Sequence, residues 1–316
     1  MTIRMDGIKH RFDANEGIFF SRQLEDIEAK VYEYKQRELK YRELIPVSNR
    51  DNPGANSITY RMFDKVGMAK IISDGGYADD LPRADVFGTE HTARVRTIGT
   101  SFGYSTQEIR SAQMAGESLD TMKAAASRRA VREKENSIAW NGDTNFNLGG
   151  FLTNSNIPTA VAATKAAGGT TWAVATPDEI ITDIRNGIST IRSQSSLIHA
   201  ADTLLLPITQ YDLIAGRPRS IHSDVTVLEF VKKQVSAYGL KDIQPLAVEL
   251  DLAFTGATDG AVYYEKDPEI LEQRIPLELQ LLPVQERNLE FVINGESRNG
   301  GVVVRYPLGC FFQYGI

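Results

Sequence analysis

Arg132–Asn154 reads REKENSIAWNGDTNFNLGGFLTN, and the run before it, Ala124–Val131, reads AAASRRAV. Alanine, arginine, glutamate and lysine are strong helix formers. The stretch therefore predicts a long helix that ends at Asn141-Gly142, where asparagine and glycine tolerate the left-handed turn that closes a helix. After that turn, Gly149-Gly150-Phe151-Leu152-Thr153-Asn154 is expected to run as a short strand. Leu119, Met122, Ala126 and Ala130 recur at three- and four-residue spacing, which defines the face expected to pack, and the small alanines let another element approach closely. The charged second half, around Arg132–Asn136, is expected to be a solvated face or an ion-pair strip between chains. Thr106 and Ser118 are candidate N-caps and Gly116 a break, which gives two helices between Ser105 and Asn141.

Upstream of these helices, Ile58, Tyr60 and Met62 alternate with Thr59, Arg61 and Phe63, the period of a strand. A turn-rich acidic tip, GGYADDLPRADVFG, separates it from a second alternating run, TARVRTIGTSFGY, and the two are expected to form a long hairpin over residues 57–105. A two-stranded ribbon is marginally stable alone and needs something to lie on. Residues 1–56 open with a polar lead and continue into an amphipathic helix, in which Leu24, Ile27, Val31 and Tyr34 fall near helical spacing; the residues fit equally a helix packed on its own domain and an arm laid across a neighbouring subunit.

Downstream, SNIPTAVAATKAAGGTTWAVATP is rich in small residues and is expected to be a loop at a domain boundary. Thr176 then caps a helix with Pro177 in its first position, Asp178-Glu179 in its first turn, and Ile180, Ile181, Ile184, Ile188 and Ile191 inside. Thr203–Leu206 reads as a buried strand, Pro207 as the start of a second helix, Thr226–Ala237 as a third, and IQPLAV and GAVYY as strands, so residues 176–264 form an α/β section. The chain returns to β structure, with Leu277, Leu279 and Leu281 alternating, and closes on a hairpin whose turns are expected at Asn294-Gly295 and Asn299-Gly300-Gly301.

At 316 residues with 42% hydrophobic and 24% charged residues, the chain can bury a substantial core and lies far from disordered compositions. A net charge of −6 argues against a dedicated nucleic-acid binder, which needs clustered lysine and arginine, and fits a container wall that must not adhere to a polyanion. No apolar run reaches membrane-spanning length. Residues 1–17 carry no apolar segment of the secretory kind, so use in a cytoplasm-like environment is expected.

Catalytic motifs are absent: there is no G-x-S-x-G elbow, phosphate-cradling glycine loop, H-E-x-x-H pair or cysteine pair. His10, His91, His199 and His222 sit in unrelated segments without ligand spacing, and Cys310 reads as a small buried hydrophobe. Asp79, Asp80, Asp85 and Glu90 could offer oxygens to calcium, but their spacing departs from the EF-hand loop and a soluble tip is the better reading. Arg61, Arg94 and Arg96 suit ion pairs between chains better than contacts to DNA, given the overall acidity. With Arg83 and the acidic Asp79, Asp80 and Asp85, they make up the candidate assembly surface. No catalytic, cofactor or metal residue is assigned.

The segment order, together with the alanine-rich helix, Trp140, Asn141-Gly142 and Gly149-Gly150-Phe151-Leu152-Thr153-Asn154, resembles that of tailed-bacteriophage major capsid proteins. This resemblance implies an α+β capsid fold: N-terminal arm (1–56), extended β-hairpin loop (57–105), peripheral domain with a long spine helix (106–175 and 265–316) and axial α/β domain (176–264). It implies a non-enzymatic subunit that assembles with many copies of itself, as pentamers and hexamers, into an icosahedral virion shell in the host bacterial cytoplasm. The implied partners are packaged double-stranded DNA through weak non-specific contacts, and portal, scaffolding or decoration proteins, with no cofactor and no membrane. Residues 1–56 do not read as a long charged coiled-coil scaffold extension, so scaffolding is expected from a separate protein. Lys65 and Lys70 have no identifiable crosslinking partner, so covalent crosslinking is not implied. An encapsulin-like compartment around cargo enzyme is the alternative; a metabolic α/β enzyme or a tail-tube protein fits less well.

Overall fold

A computed structural model of the chain describes residues 34–72, 81–115, 119–220, 222, 224–235, 239–246, 250 and 259–316. The chain divides into two compact units, Met1–Glu38 and Leu39–Ile316. In the first, residues 34–38 are exposed and irregular, and the expected helix through Leu24, Ile27 and Val31 lies outside the described residues. In the second, the elements in chain order are α1 (Tyr41–Leu44), β1 (Val47–Ser48), β2 (Ser57–Val66), β3 (Asp85–Arg94), β4 (Arg96–Ser105), α2 (Thr106–Ala115) and α3 (Leu119–Asn141). Then follow β5 (Thr159–Val161), α4 (Pro177–Gln194), β6 (Thr203–Pro207), α5 (Ile208–Gly216), α6 (Val227–Val235), β7 (Asp242–Leu246) and β8 (Gly260–Tyr264). The closing segment holds β9 (Leu271–Arg274), β10 (Leu277–Leu281), β11 (Gln285–Arg287), β12 (Glu290–Asn299), β13 (Val302–Val304) and β14 (Cys310–Tyr314).

The central sheet runs β5-β14-β8-β6-β7 and is apolar on both faces. Because successive side chains of a strand point to opposite faces, Leu204, Leu206, Tyr263 and Phe311 enter one core while Leu205, Val262, Tyr264 and Phe312 enter another. The first core is closed by α4 and α6 through Ile180, Ile184, Ile191 and Val231. The second holds Tyr41, Leu44 and Ile45, the Ala139-Trp140 end of α3, and Phe151. Residues 41–48 therefore belong to the main unit, with β1 paired to β9, although the sequence places them in the arm.

The strand pairing departs from expectation in three places. The hairpin partner of β2 is β3, in register from Ser57 with Arg94 to Val66 with Asp85, so residues 85–88 extend the ribbon and are not part of its tip. The run Arg96–Ser105 instead forms β4, which pairs along its whole length with β12. Asn294-Gly295 makes no turn, because both edges of β12 are occupied there: Gly295 lies opposite Thr100 of β4 and Leu281 of β10. The chain does turn at residues 299–301, but β13 then joins β9 and β14 joins the central sheet, so no closing hairpin forms.

The loop before α4 is no loose boundary. It contributes β5, parallel to β14, and the fully buried Trp172. Lys165 and Asp183 form a buried ion pair, and Trp172 Nε1 donates to Asp183 Oδ2 at 2.9 Å, which ties the loop to α4.

The start of α4 follows the sequence reading. Thr176 and Glu179 form a reciprocal capping box. Backbone N–H donation from Ala166, then from Thr176, with help from the Thr176 hydroxyl, holds the Glu179 carboxyl below its ordinary pKa. A depressed carboxylate contributes stability above the unfolded pKa, about 4.3, and loses it as pH falls through the lower folded value. The Glu179→Gln variant is accordingly expected to show a flatter fall of thermal midpoint below pH ~4 than the parent; parallel acid limbs would contradict this.

Candidate assembly interface

The β2–β3 ribbon is anchored at its base. Ile58 is buried, Tyr60 stacks on His91 at 5.3 Å, and the Arg305 guanidinium lies 5.7 Å from the Tyr60 ring centre. Arg305 belongs to an arginine cluster around the buried Glu272 carboxylate, which also pairs with Arg50 at 2.9 Å and Arg274 at 2.6 Å. Arg274 in turn meets Asp51 at 2.9 Å. Three cations around one buried anion hold β9, β13 and the chain after β1 together where the ribbon leaves them.

Beyond the base the ribbon exposes apolar side chains on both faces. Phe63 lies across Gly88 and is 66% exposed, with Val86 on the same face; Phe87 is 59% exposed on the other, near Val66. Exposed clusters of large apolar groups on a folded unit mark contact surfaces. The candidate charged residues are spread along this ribbon and its exit instead of converging. Arg61 pairs with Glu90 at 2.7 Å across the hairpin, so its charge is satisfied within the chain. Asp85 opens β3 and accepts from the Val86 N–H at 2.8 Å. Arg83 and Arg94 are exposed, and Arg96 donates to the Phe146 carbonyl at 3.4 Å. Asp79 and Asp80 lie outside the described residues. The apolar members Phe63, Val86 and Phe87 were readable from the period-two pattern, which puts hydrophobes on both faces at the distal end, but the charge-based selection passes over them.

α2 begins one residue earlier than expected: Ser105 Oγ accepts from the Glu108 N–H at 3.1 Å, and Glu108 accepts from the Ser105 N–H at 3.0 Å. Gly116 and Ser118 lie outside the described residues. The packing face of α3 is also not the expected one. Met122, Ala126 and Ala130 are exposed, while Ser127, Val131 and Glu135 pack inward against β4 and β12. Glu135, read from the sequence as part of a solvated strip, is only 1% exposed. Its carboxylate accepts from Tyr41 Oη at 2.6 Å, Arg42 Nη2 at 3.1 Å and Ser297 Oγ at 3.0 Å, and burial reinforced by this carboxylate pushes the Tyr41 phenol well up. Glu135→Ala is expected to cost about 3 kcal/mol, because it strands the buried Tyr41 and Ser297 hydroxyls. Urea denaturation checks this, and a loss below ~0.5 kcal/mol, the range of neutral surface changes, would contradict it.

The helix end is closed by the loop that follows. Gly142, Phe151 and Leu152 donate their N–H groups to the carbonyls of Ile138, Ala139 and Trp140 at 3.0, 2.9 and 2.9 Å, and Thr153 Oγ1 donates to Asn141 O at 3.1 Å. All four terminal carbonyls of a helix need such partners, and here one loop supplies them. The Gly149–Asn154 segment is thus a capping loop and not the expected strand.

Chemistry-bearing side chains stay dispersed. His199 Nδ1 lies 3.1 Å from Glu265 Oε2 with its ring 5.6 Å from that of Tyr306, His91 stacks on Tyr60, and Cys310 is buried with its thiol pushed up by desolvation. Among the described residues, no group of three or more His, Cys, Asp or Glu could hold a metal ion, and no helix is long and apolar enough to cross a membrane.

A search of curated proteins finds no match. Among solved structures, the chain is similar to the capsid of Myoviridae phage XM1, with TM-score 0.79 and 17% identity over 95% of this chain and 100% of that one. It is similar to the capsid of a native GTA particle at TM-score 0.64 and 11% identity, covering 96% and 99%. It is similar also to a virus-like particle from Pyrococcus furiosus at TM-score 0.55 and 11% identity, covering 86% and 90%. These likenesses carry the fold, and the family model for "Major capsid protein" matches residues 67–316. From ribbon to last strand, the chain belongs to the major capsid protein family.

Proposed function

We propose that this capsid protein builds the icosahedral shell around the double-stranded DNA of a tailed phage, as pentamers and hexamers assembled in the cytoplasm of a bacterial host. The carrying observation is the ribbon: ten-residue strands β2 and β3 anchored at Tyr60 and Arg305 and apolar on both distal faces. A surface of this kind gains stability by lying on another copy, and many such contacts add up in a closed shell. Residues 1–38, the first of the two units, serve as the arm. Arg83, Arg94 and Arg96, with Asp79, Asp80 and Asp85, contribute ion pairs at the rim of these contacts.

The wall does no catalysis and takes no cofactor. It meets DNA weakly, as a chain of net charge −6 should, and portal, scaffolding or decoration proteins complete the particle. The encapsulin-like reading is not favoured, since the matching family is that of major capsid proteins. Negative-stain microscopy of the purified full chain is the test. Hollow shells are the expected result, and uniform small particles under all salt and concentration conditions would overturn the proposal.

A further inference from the structure

α3 carries five cations, Lys123, Arg128, Arg129, Arg132 and Lys134. Three of them meet an acid of the same chain: Lys123 pairs with Glu108 at 3.2 Å, Arg129 with Glu133 at 2.8 Å and Lys134 with Asp143 at 3.0 Å. Arg128 and Arg132 are exposed and have no hydrogen-bond or ionic partner among the described residues. Four residues apart on a helix, they share one face with their Cβ atoms about 5–6 Å apart. Like charges at that spacing weaken a helix, and an anion held between them removes the repulsion. Ala124 and Ala125, one turn earlier on this face, present nothing larger than a methyl group beside them.

The two arginines edge a cleft of about 310 Å³ whose other walls include Arg42, Val131, Glu135 and Glu278. Both acids there are already engaged. Glu135 accepts from Tyr41, Arg42 and Ser297, and Glu278 accepts from Arg42 at 3.0 and 2.7 Å. Arg42 is thus shared between the two carboxylates, while Arg128 and Arg132 stand exposed at the rim. Three guanidinium groups against two carboxylates leave the cleft with one positive charge.

We propose that this cleft is a phosphate site, in which the Arg128 and Arg132 guanidinium groups donate to the oxygens of one phosphate group. The planar guanidinium fork matches phosphate oxygens two at a time, and it stays charged at every physiological pH. In the assembled particle the group is a backbone phosphate of the enclosed DNA; that source rests on the shell reading above, and the site itself does not. One such contact per chain reads no base and is independent of sequence. It is also weak and falls with salt as counterions are released, which reconciles a defined anchoring point with a wall of net charge −6.

Phenylglyoxal labelling of the purified full-length chain, with inorganic phosphate or with chloride at equal ionic strength, tests the site. In phosphate, Arg128 and Arg132 are expected to label at least about threefold more slowly, while the exposed Arg94 and Arg110, outside the cleft, keep their rates. Phosphate reaches either face of a closed shell, so the state of assembly does not alter this reading. Unchanged rates at Arg128 and Arg132, or equal slowing at all four arginines, overturn the proposal. Fluorescence anisotropy of a short labelled duplex on the unassembled chain reads the source. Arg128→Ala with Arg132→Ala is expected to weaken binding about tenfold and to lower the slope of log affinity against log salt by about 2. Arg129→Ala with Lys134→Ala removes the same charge from the paired cations of the helix and is expected to change binding less than about twofold. A loss no larger than this control's assigns the site to a free phosphate compound and overturns the DNA source. Microscopy of the parent chain is read separately: absence of shells overturns the shell reading and leaves the phosphate result as it stands.

Discussion

Asp183→Ala is expected to destabilise the main unit by about 3–5 kcal/mol, the cost of removing one partner from a buried ion pair. Lys165 and Asp183 are both buried, and Asp183 also accepts from Trp172 Nε1. The truncation leaves the Lys165 ammonium buried without its paired carboxylate, and the Trp172 indole N–H without its acceptor. Both groups are buried where the Ala162–Ala175 loop meets α4. The paired change Lys165→Met with Asp183→Leu removes both charges at similar volume, and such replacements are often neutral or stabilising. Recovery of the part of the loss due to the unpaired charge, with the Trp172 N–H still without an acceptor, is therefore the expected signature, read by urea denaturation. A single variant within ~1 kcal/mol of the parent, the range of a surface ion pair, would show that water reaches the pair.

How much of this was readable from the sequence depends on how local each cause is. α4 was legible because its cap, its first-turn acids and its isoleucine stripe lie within fifteen or so residues. The strands TLLLP and GAVYY were legible because sheets buried on both faces read as short continuous apolar runs. β9 was not: Leu271-Glu272-Gln273-Arg274 looks like surface, yet all four are buried because Arg50 and Arg305 bring charge to Glu272 from distant segments. Glu135 was missed for the same reason, its partners Tyr41 and Ser297 standing 94 and 162 residues away. The outer strand of the ribbon was placed too late because Asp85 and Gly88 look like turn residues, while its pairing is set by β2. At the contact surface, charges drew attention although Arg61 is already satisfied by Glu90, and the exposed Phe63, Val86 and Phe87 carry the stronger signal.

Gly150→Ala is expected to cost roughly 4 kcal/mol or more, in the range that marks a specific structural conflict. A Cβ at Gly150 would stand 2.2 Å from Gly142 N, 2.4 Å from Asn141 C and 2.7 Å from Trp140 O. Those are backbone atoms of the last turn of α3 and its closing glycine, so no side-chain rotation relieves the overlap. Gly142 is bound by the same crossing, since its own Cβ would stand 2.4 Å from Leu148 O, and it adopts φ 68°. Relief requires the loop to move off, which breaks the Phe151 and Leu152 N–H donations to Ala139 and Trp140 and withdraws Phe151 from Trp140, Tyr264 and Phe312. The helix end and the second core are thus lost together, and soluble yield should fall with stability. Gly168→Ala is the matched control: that glycine also has a positive φ, 87°, but nothing stands within 4 Å of its Cβ position, so only the backbone cost of about 1 kcal/mol applies. Equal denaturation midpoints for the two variants would mean that the crossing of the Asn141-Gly142 and Gly149-Gly150 segments is loose enough to take a methyl group, and that the loop does not lock the helix end.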